Sequence, residues 1–196
     1  EITTRLVGSE MCIRDRNCRT PHDAIVNGVV MVPEDRKLQG IIPRMSVGRN
    51  ISIGSLDQIT NRLGFVNTRR EEQIGLEGKA NFNIKTPDLE KPIVELSGGN
   101  QQKAIVARWM STKPEVLILD EPTKGIDVGA KSEFYNMICE FAKEGLAVIL
   151  ISSELPEVIG LSDRIIVMRG RRIVGEISAK DATEEKLLSM AMMEEA

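Results

Sequence analysis

Uninterrupted apolar runs mark the strands that the sequence predicts. VLILD at residues 116–120 and LAVILISS at residues 146–153 show no alternation with polar positions. Such runs are typical of strands that are covered on both faces of a sheet. VVMVP at residues 29–33 predicts another buried strand, and RIIVMRGRRIVGEIS at residues 164–178 predicts two strands around a turn at Gly170. We therefore expect a sheet several of whose strands are buried.

Helical periods separate these strands. Residues 127–145 predict an amphipathic helix that ends at Gly145. Its apolar stripe consists of Phe134, Met137, Ile138 and Phe141. Further helices are predicted at residues 21–28, 68–82, 97–114 and 181–193. Buried strands that alternate with helices indicate an α/β domain with a largely parallel sheet, and the more helical and polar residues 37–112 are expected to form a subdomain.

Composition limits the classes of function. The 196 residues are enough for one domain with a core, and their net charge of −3 gives no electrostatic reason to expect a nucleic acid partner. Aromatic residues make up 3% of the chain, too few for a base-stacking surface. The apolar runs are shorter than the roughly 20 residues of a membrane helix. Three cysteines without CxxC spacing and the single His22 argue against disulfides or zinc and favour a reducing cytoplasm.

LSGGNQQK at residues 96–103 places two glycines immediately before a predicted helix. Gly98 and Gly99 let the backbone approach a ligand closely. The free N–H groups and the dipole at the start of the helix favour a phosphate, and the Ser97 hydroxyl adds a donor. The same residues also form an ordinary helix cap without a ligand, and the segment by itself leaves both interpretations open.

VLILDEPT at residues 116–123 ends a predicted buried strand with two carboxylates. Asp120 lies at the carboxyl end of the strand, where open α/β sheets bind ligands, and Glu121 follows directly. A carboxylate at this position can hold the water shell of Mg²⁺, and its neighbour can orient an attacking water. The alternative is a pair of surface acids at the end of a strand.

The order of these two segments resembles that of the ABC-transporter ATPases. Ser97 precedes Asp120 by 23 residues, which leaves room for a helix and a turn. The resemblance identifies LSGGNQQK with the signature motif of the family and VLILDEPT with its Walker B strand. It places Asp127 of GIDVGAK in the D-loop. It also places Glu34 of MVPED at the Q-loop position, usually glutamine, and Ser153 of ILISSELPEV at the switch position, usually histidine.

Three details narrow the resemblance: the form GGNQQK of the signature, EDRK after the Q-loop and GIDVGAK in the D-loop. They are similar to the second nucleotide-binding domain of the fused two-domain ATPases that serve ribose, galactose and xylose importers. The resemblance covers residue 17 to about residue 196. It implies a partial P-loop NTPase domain with a mostly parallel sheet, a helical signature subdomain at residues 37–112, and the Walker B, D-loop and switch region at residues 113–196.

The resemblance also implies site residues, cofactors and partners. The residues expected to contact ATP are Ser97, Gly98, Gly99, Asn100, Gln101, Glu34 and Ser153. Asp120 is expected to bind Mg²⁺, and Glu121 and Asp127 are expected to be catalytic. The implied direct partners are an N-terminal nucleotide-binding domain of the same protein and membrane permease subunits. A periplasmic or lipid-anchored sugar-binding protein is the implied indirect partner, and the implied location is the cytoplasmic face of the bacterial inner membrane.

Two departures from the family pattern affect the expected mechanism. A serine at position 153 cannot replace an imidazole at the γ-phosphate, and Glu34 puts a carboxylate near the metal and the attacking water. We therefore expect the site built on Asp120 and Glu121 to be weak or purely structural. The expected main contribution of the chain is its signature motif, offered to ATP that the N-terminal domain holds.

No segment of the sequence supplies a credible Walker A motif. GIDVGAKS at residues 125–132 nearly fits the phosphate-loop pattern. However, Ala130 occupies the second glycine position and DEPTK intervenes after the strand. We interpret Lys131 as a surface lysine of a helix. The expectation is that the Walker A segment is missing and that the isolated chain is inactive.

Two other classes of function remain open. One is a non-functional fragment that binds no nucleotide alone, because most phosphate contacts of the family come from Walker A. The other is a soluble ABC ATPase that acts in DNA repair or translation. The second class would need long coiled-coil or basic insertions, which are not visible in this sequence.

The first sixteen residues, EITTRLVGSEMCIRDR, show neither a helical nor a strand period. Charges interrupt their apolar pairs, so they lack the apolar region of a signal peptide. LVGSEMCIRDR resembles the in-frame translation of a transposase-type sequencing adapter. We therefore interpret residues 1–16 as an adapter artefact that is disordered and stands where the Walker A region is missing; the alternative is a genuine divergent N-terminus.

Overall fold

A computed structural model describes residues 18–192 of the chain. The helices are α1 (Pro21–Val26), α2 (Val47–Ser52), α3 (Leu56–Ile59), α4 (Thr68–Asn81), α5 (Gly98–Met110), α6 (Val128–Lys143), α7 (Leu155–Leu161) and α8 (Glu184–Met192). The strands are β1 (Val29–Val32), β2 (Val116–Asp120), β3 (Ala147–Ile151), β4 (Arg164–Arg169) and β5 (Arg172–Ser178). The interpretation of residues 1–16 lies outside the described residues.

The strands β1, β2 and β3 form a parallel sheet in that order, with β2 in the centre. Helices connect them, as the alternating pattern predicts for a parallel sheet. The strands β4 and β5 form an antiparallel hairpin. Gly170 and Arg171 form its two-residue turn with φ angles of 55° and 67°, the left-handed conformation that such a turn requires. The predicted α/β fold with a mostly parallel sheet is thus confirmed.

One face of the parallel sheet packs against the helices. Leu117 and Leu119 of β2 are fully buried in a core that also contains Phe134 and Ile138 of α6. The predicted apolar stripe of α6 is therefore a core stripe. The Asp127 carboxylate caps the start of α6, and Gly145, with a φ of 94°, follows its end. This packing fixes the carboxyl end of β2 against the start of α6.

The opposite face of the sheet is partly open within the described residues. Met31, Ile149 and Ile151 are 44%, 51% and 46% exposed. Met31 and Ile149 flank Ile118 in one row across the three strands. The prediction that LAVILISS is a buried strand is therefore wrong for this structure, because alternate side chains of β3 face away from the helices. A hydrophobic run in the sequence indicates that a strand can be buried, but it does not identify the element that packs over it.

We expect the open face to be covered by residues outside the described range or by a partner, because parallel sheets are normally covered on both faces. Ile149→Thr should then lower the free energy of unfolding by about 1–3 kcal/mol, as for a core residue. Val128→Thr is the control, because Val128 is 84% exposed at the start of α6. Urea unfolding of both variants checks this. An Ile149→Thr effect no larger than that of the control would show that the face is solvated.

The regular elements between residues 37 and 112 are all helical. The helices α2, α4 and α5 pack on one another, and glycines permit their close approach: a Cβ on Gly78 of α4 would lie 2.7 Å from Ile51 of α2. The polar face of α4 is exposed, as its charge pattern predicts. That these residues form a separate subdomain stays a prediction. No helix in residues 18–192 combines the length and apolar character needed to cross a membrane.

Candidate functional site

The start of α5 leaves its backbone donors open. Ser97 is the N-cap residue, with extended backbone angles, and its side chain accepts no hydrogen bond from a backbone N–H of the first turn. Instead, the Ser97 Oγ accepts a hydrogen bond of 2.9 Å from the Asn100 side chain. The first N–H groups of a helix have no partner within the helix, and they carry the positive end of its dipole. This end of α5 therefore has the chemistry of an anion site, as the signature motif predicts.

Both glycines of the signature have close neighbours within the chain. A Cβ on Gly98 would lie 2.6 Å from the Arg36 Nη2, and a Cβ on Gly99 would lie 2.9 Å from the Ala130 Cβ. Separations under 3.0 Å are essentially never seen for real Cβ atoms. In the sequence, these glycines are expected to permit the close approach of a ligand. The structure adds a second reason, which is the close packing of α5 against its neighbours.

The next two polar side chains of α5 hold the preceding segment. The Asn100 Oδ1 accepts a hydrogen bond of 2.8 Å from the Lys85 backbone N–H. Gln101 is 6% exposed, and its Nε2 donates to the Leu96 carbonyl at 3.1 Å. The Gln101 amide therefore lies inside the chain. Its contact with ATP stays a prediction that this placement does not favour.

The two carboxylates at the end of β2 occupy different environments. Burial raises the pKa of the Asp120 carboxyl, and the negative charges of Glu34 and Glu121 raise it further. Glu121 has a φ of 45°, a left-handed conformation that is uncommon outside glycine and that clusters at functional sites. A cation next to Asp120 would relieve this repulsion between carboxylates.

The segment after β3 reaches Glu121. The Ser153 backbone N–H donates to the Glu121 Oε1 at 2.8 Å. The Glu121 backbone N–H donates to the Ile151 carbonyl, also at 2.8 Å. The contact between position 153 and Glu121 is thus made by the backbone, so it does not require a particular side chain at that position.

Lys124 is a site residue that the sequence analysis missed. Its Nζ lies 2.5 Å from the Glu34 Oε1, and this hydrogen bond is the main cause of the raised pKa of Lys124. Glu34 therefore faces the cation of Lys124 as well as the carboxylate of Asp120. The only sequence signal was the lysine in DEPTK, which lies 90 residues after Glu34.

The segment GIDVGAKS, which nearly fits the phosphate-loop pattern, makes structural contacts within this chain. The Asp127 Oδ1 accepts a hydrogen bond of 3.0 Å from the Ala130 backbone N–H at the start of α6. The Lys131 Nζ lies 2.5 Å from the Glu154 Oε1. The structure thus supports the interpretation of Lys131 as a helix lysine. Asp127 is a helix cap here, and its catalytic role stays a prediction.

The described residues contain no group of three or more metal-ligating side chains that could hold a metal ion. Mg²⁺ does not require such a group, because it is commonly held by one or two carboxylates together with the phosphates of a substrate. Asp120, at the carboxyl end of β2 and within the field of the Glu34 and Glu121 charges, would be the carboxylate for that role. The residues present are therefore compatible with Mg²⁺ that arrives with a nucleotide.

A groove of about 1190 Å³ opens elsewhere, between α4, α5 and α6. The predicted site residues do not line it. At this groove the buried Lys103 pairs with Glu133, with 2.5 Å between Nζ and Oε2, and this pairing lowers the pKa of Glu133.

Comparison with protein-family models matches residues 8–124 to the model described as "ABC transporter". The chain belongs to the ABC transporter family. The match contains the start of α5 and the carboxyl end of β2, whereas Asp127 and Ser153 lie beyond its last residue.

Relatives in the family include importer subunits. The chain is 48% identical to the arabinose import ATP-binding protein AraG of Mannheimia succiniciproducens, over 99% of this chain and 40% of that protein. It is 48% identical to the ribose import ATP-binding protein RbsA of Rhodopirellula baltica, over 93% of this chain and 36% of that protein. The chain thus spans less than half the length of these relatives. Their match extends further toward the N-terminus than the motifs indicated, and the adapter origin of residues 1–16 stays a prediction.

Solved structures of the family show the same fold. The chain resembles cbiO1 from Clostridium perfringens, part of the ABC transporter complex cbiONQ, with a TM-score of 0.68 and 23% identity. This likeness covers 87% of the chain and 66% of cbiO1. The ADP conformation of another ATP-binding cassette gives a TM-score of 0.66 at 21% identity, over 90% of this chain and 69% of that one. These likenesses establish an ABC ATPase cassette fold.

Proposed function

We propose that the chain is the second nucleotide-binding domain of an ATPase that drives import of a monosaccharide. The single observation that carries this proposal is the start of α5, where the N-cap residue Ser97 is exposed and makes no side-chain cap hydrogen bond, and where the half-buried Gly98 and the buried Gly99 follow it. The arabinose and ribose import subunits among its relatives support the class of cargo. The chemistry at α5 is that of a phosphate-binding helix end.

In this proposal the start of α5 contacts ATP that is held by the N-terminal domain of the same protein. Ser97 and the backbone of Gly98 and Gly99 donate hydrogen bonds to the γ-phosphate as the two domains close. Such donors accelerate phosphoryl transfer by holding the phosphate in position and by stabilising charge that develops on its oxygens. The chain thus contributes to hydrolysis at a site that it shares with its partner domain.

The second site, built on Asp120 and Glu121, contributes less in this proposal. Mg²⁺, when bound there with a nucleotide, would supply charge stabilisation at the phosphates. Glu121 would orient the attacking water, but Ser153 provides no imidazole beside it. Lys124 offsets the charge of Glu34, and Glu121 accepts the Ser153 N–H. We infer that Asp120 and Glu121 mainly maintain the shape of the closed interface.

The partners follow from this assignment. The N-terminal nucleotide-binding domain of the same protein and the permease subunits contact this domain directly. A periplasmic or lipid-anchored sugar-binding protein delivers the cargo. The protein then acts at the cytoplasmic face of the bacterial inner membrane, held there by the permease. Nucleic acid has no part in the proposal, consistent with the net charge of −3 and the scarcity of aromatic residues.

Uptake by cells tests the proposal. The full-length protein, with its permease and binding protein, is expressed in a strain that lacks its own importers for arabinose, ribose, galactose and xylose. We expect ATP-dependent uptake of at least one of these labelled sugars and no uptake when the ATPase is omitted. An assembled complex that hydrolyses ATP but transports none of the four sugars would contradict the cargo class.

A further inference from the structure

Arg36 joins three segments that are far apart in the sequence. It lies in the loop after β1, in a π-helical turn at Arg36–Gly40. Its Nη1 donates to the Lys124 carbonyl at 2.8 Å, and its Nη2 donates to the Gly125 carbonyl at 3.0 Å. The guanidinium thus holds the loop that follows β2 by two parallel hydrogen bonds.

The third segment is the start of α5. A Cβ on Gly98 would lie 2.6 Å from the Arg36 Nη2. The same Cβ would lie 3.2 Å from the Gly125 carbonyl oxygen. The first turn of α5 is therefore in direct contact with both the guanidinium and the loop after β2. Any displacement of Arg36 changes the space in which this turn is held.

The Arg36 Nε is buried and has no hydrogen-bond partner within the described residues. A buried donor without a partner costs roughly 1–3 kcal/mol. The side chain nevertheless stays in this position, because its other donors bond to two carbonyls and its plane fills the space beside Gly98.

A second link connects the same two loops. The ion pair between Glu34 and Lys124 joins the loop after β1 to the loop after β2, in parallel with the bonds of Arg36. Ion pairs between exposed side chains contribute little free energy. The bidentate contact of Arg36 is therefore the stronger and more directional of the two links.

We propose that Arg36 is a positioning residue, which sets the first turn of α5 against the loop after β2 so that the signature donors meet ATP in the correct geometry. This role rests on the proposed function, since it concerns the same donors. Arginine suits the role because its planar fork bonds to two neighbouring carbonyls at once, whereas lysine offers a single ammonium group. Arg36→Lys keeps the positive charge and removes the fork.

Steady-state kinetics of the full-length protein in its transporter complex test the role. In the proposal, the signature donors meet ATP only when the two nucleotide-binding domains have closed. Misplacing them should therefore lower kcat and leave KM for ATP nearly unchanged. We expect Arg36→Lys to lower kcat by about tenfold and to change KM by less than about twofold. The control is Lys37→Gln, which alters the neighbouring exposed cation. Thermal unfolding of each variant shows whether the protein stays folded.

A double-variant cycle examines the same contact from the other side. Gly98→Ala alone should lower kcat, because its Cβ would displace the guanidinium. In the Arg36→Ala background the same change should have a smaller effect, since only the Gly125 carbonyl, at 3.2 Å, then remains close to that Cβ. If the kcat of the double variant equals the product of the two separate reductions in kcat, the proposed coupling between Arg36 and α5 is wrong.

The two proposals fail in different ways. If the unaltered protein turns over ATP and Arg36→Lys behaves like Lys37→Gln, the positioning role is wrong while the proposed function stands. An increase in KM with unchanged kcat would also overturn the role, because it would indicate uniform binding. If the unaltered complex turns over no ATP, the proposed function fails and the role of Arg36 fails with it.

Discussion

Gly99→Asp in the full-length protein should reduce sugar uptake and ATP turnover by about 100-fold or more, the loss typical of removing donors from a developing charge. Glu121→Gln should cost far less, about threefold or below, if the site at β2 contributes little to hydrolysis. The aspartate would place a negative charge at the helix end that is proposed to meet the γ-phosphate. Uptake of labelled sugar and phosphate release, measured on both variants in parallel, check this pair.

Packing must be separated from chemistry in this experiment, because Gly99 also contacts Ala130 within the chain. A Cβ at position 99 would lie 2.9 Å from the Ala130 Cβ. We expect Gly99→Ala combined with Ala130→Gly to recover much of the activity that Gly99→Ala loses. Gly99→Asp combined with Ala130→Gly should remain inactive, because the added charge persists when the space is restored.

The comparison between the two sites decides their roles. If Glu121→Gln is more damaging than Gly99→Asp, the assignment of the main contribution to the signature is wrong, and the carboxylates of β2 are the active ones. The neutral amide that Glu121→Gln introduces retains the size of the side chain and can still accept the N–H of Ser153. A loss of activity in Glu121→Gln would therefore reflect the charge rather than a rearranged loop.

Arg108→Met should lower the free energy of unfolding of the full-length protein by about 3–5 kcal/mol, because it leaves several buried acceptors without a donor. Arg108 is 7% exposed. Its guanidinium donates to the Gly40 carbonyl at 2.7 Å and to the carbonyl and side-chain oxygens of Asn50 at 2.6 and 2.9 Å. These bonds connect α5 to α2 and to the end of the π-helical turn.

Burial lowers the pKa of Arg108 to about 10, so the guanidinium remains charged at neutral pH and its hydrogen bonds must offset the cost of desolvation. Urea unfolding measures the loss. Arg49→Met provides the matched control, since the same substitution there removes an exposed arginine from α2. Arg108→Lys should fall between Arg108→Met and the unaltered protein, because an ammonium reaches fewer of these acceptors. Equal effects of Arg108→Met and Arg49→Met would contradict the role assigned to these bonds.

The sequence determined the local structure and the class of chemistry. The stripe of α6, the turn at Gly170 and the helix after LSGGNQQK depend on residues that are close together in the chain. The capping aspartate, the left-handed glycine and the helical period act over only a few residues. The motif order placed the chain in its family for the same reason, because each motif is a short continuous segment.

Only the tertiary structure decided which side chains meet. Arg36 contacts a loop that follows it by 88 residues or more, and Lys124 pairs with Glu34 across a similar separation. A single sequence does not reveal such pairs, because they depend on the order and register of the strands in the sheet. The apolar run of β3 shows the same limit: the sequence revealed that its residues are hydrophobic, but whether Ile149 is buried depends on what packs over the sheet.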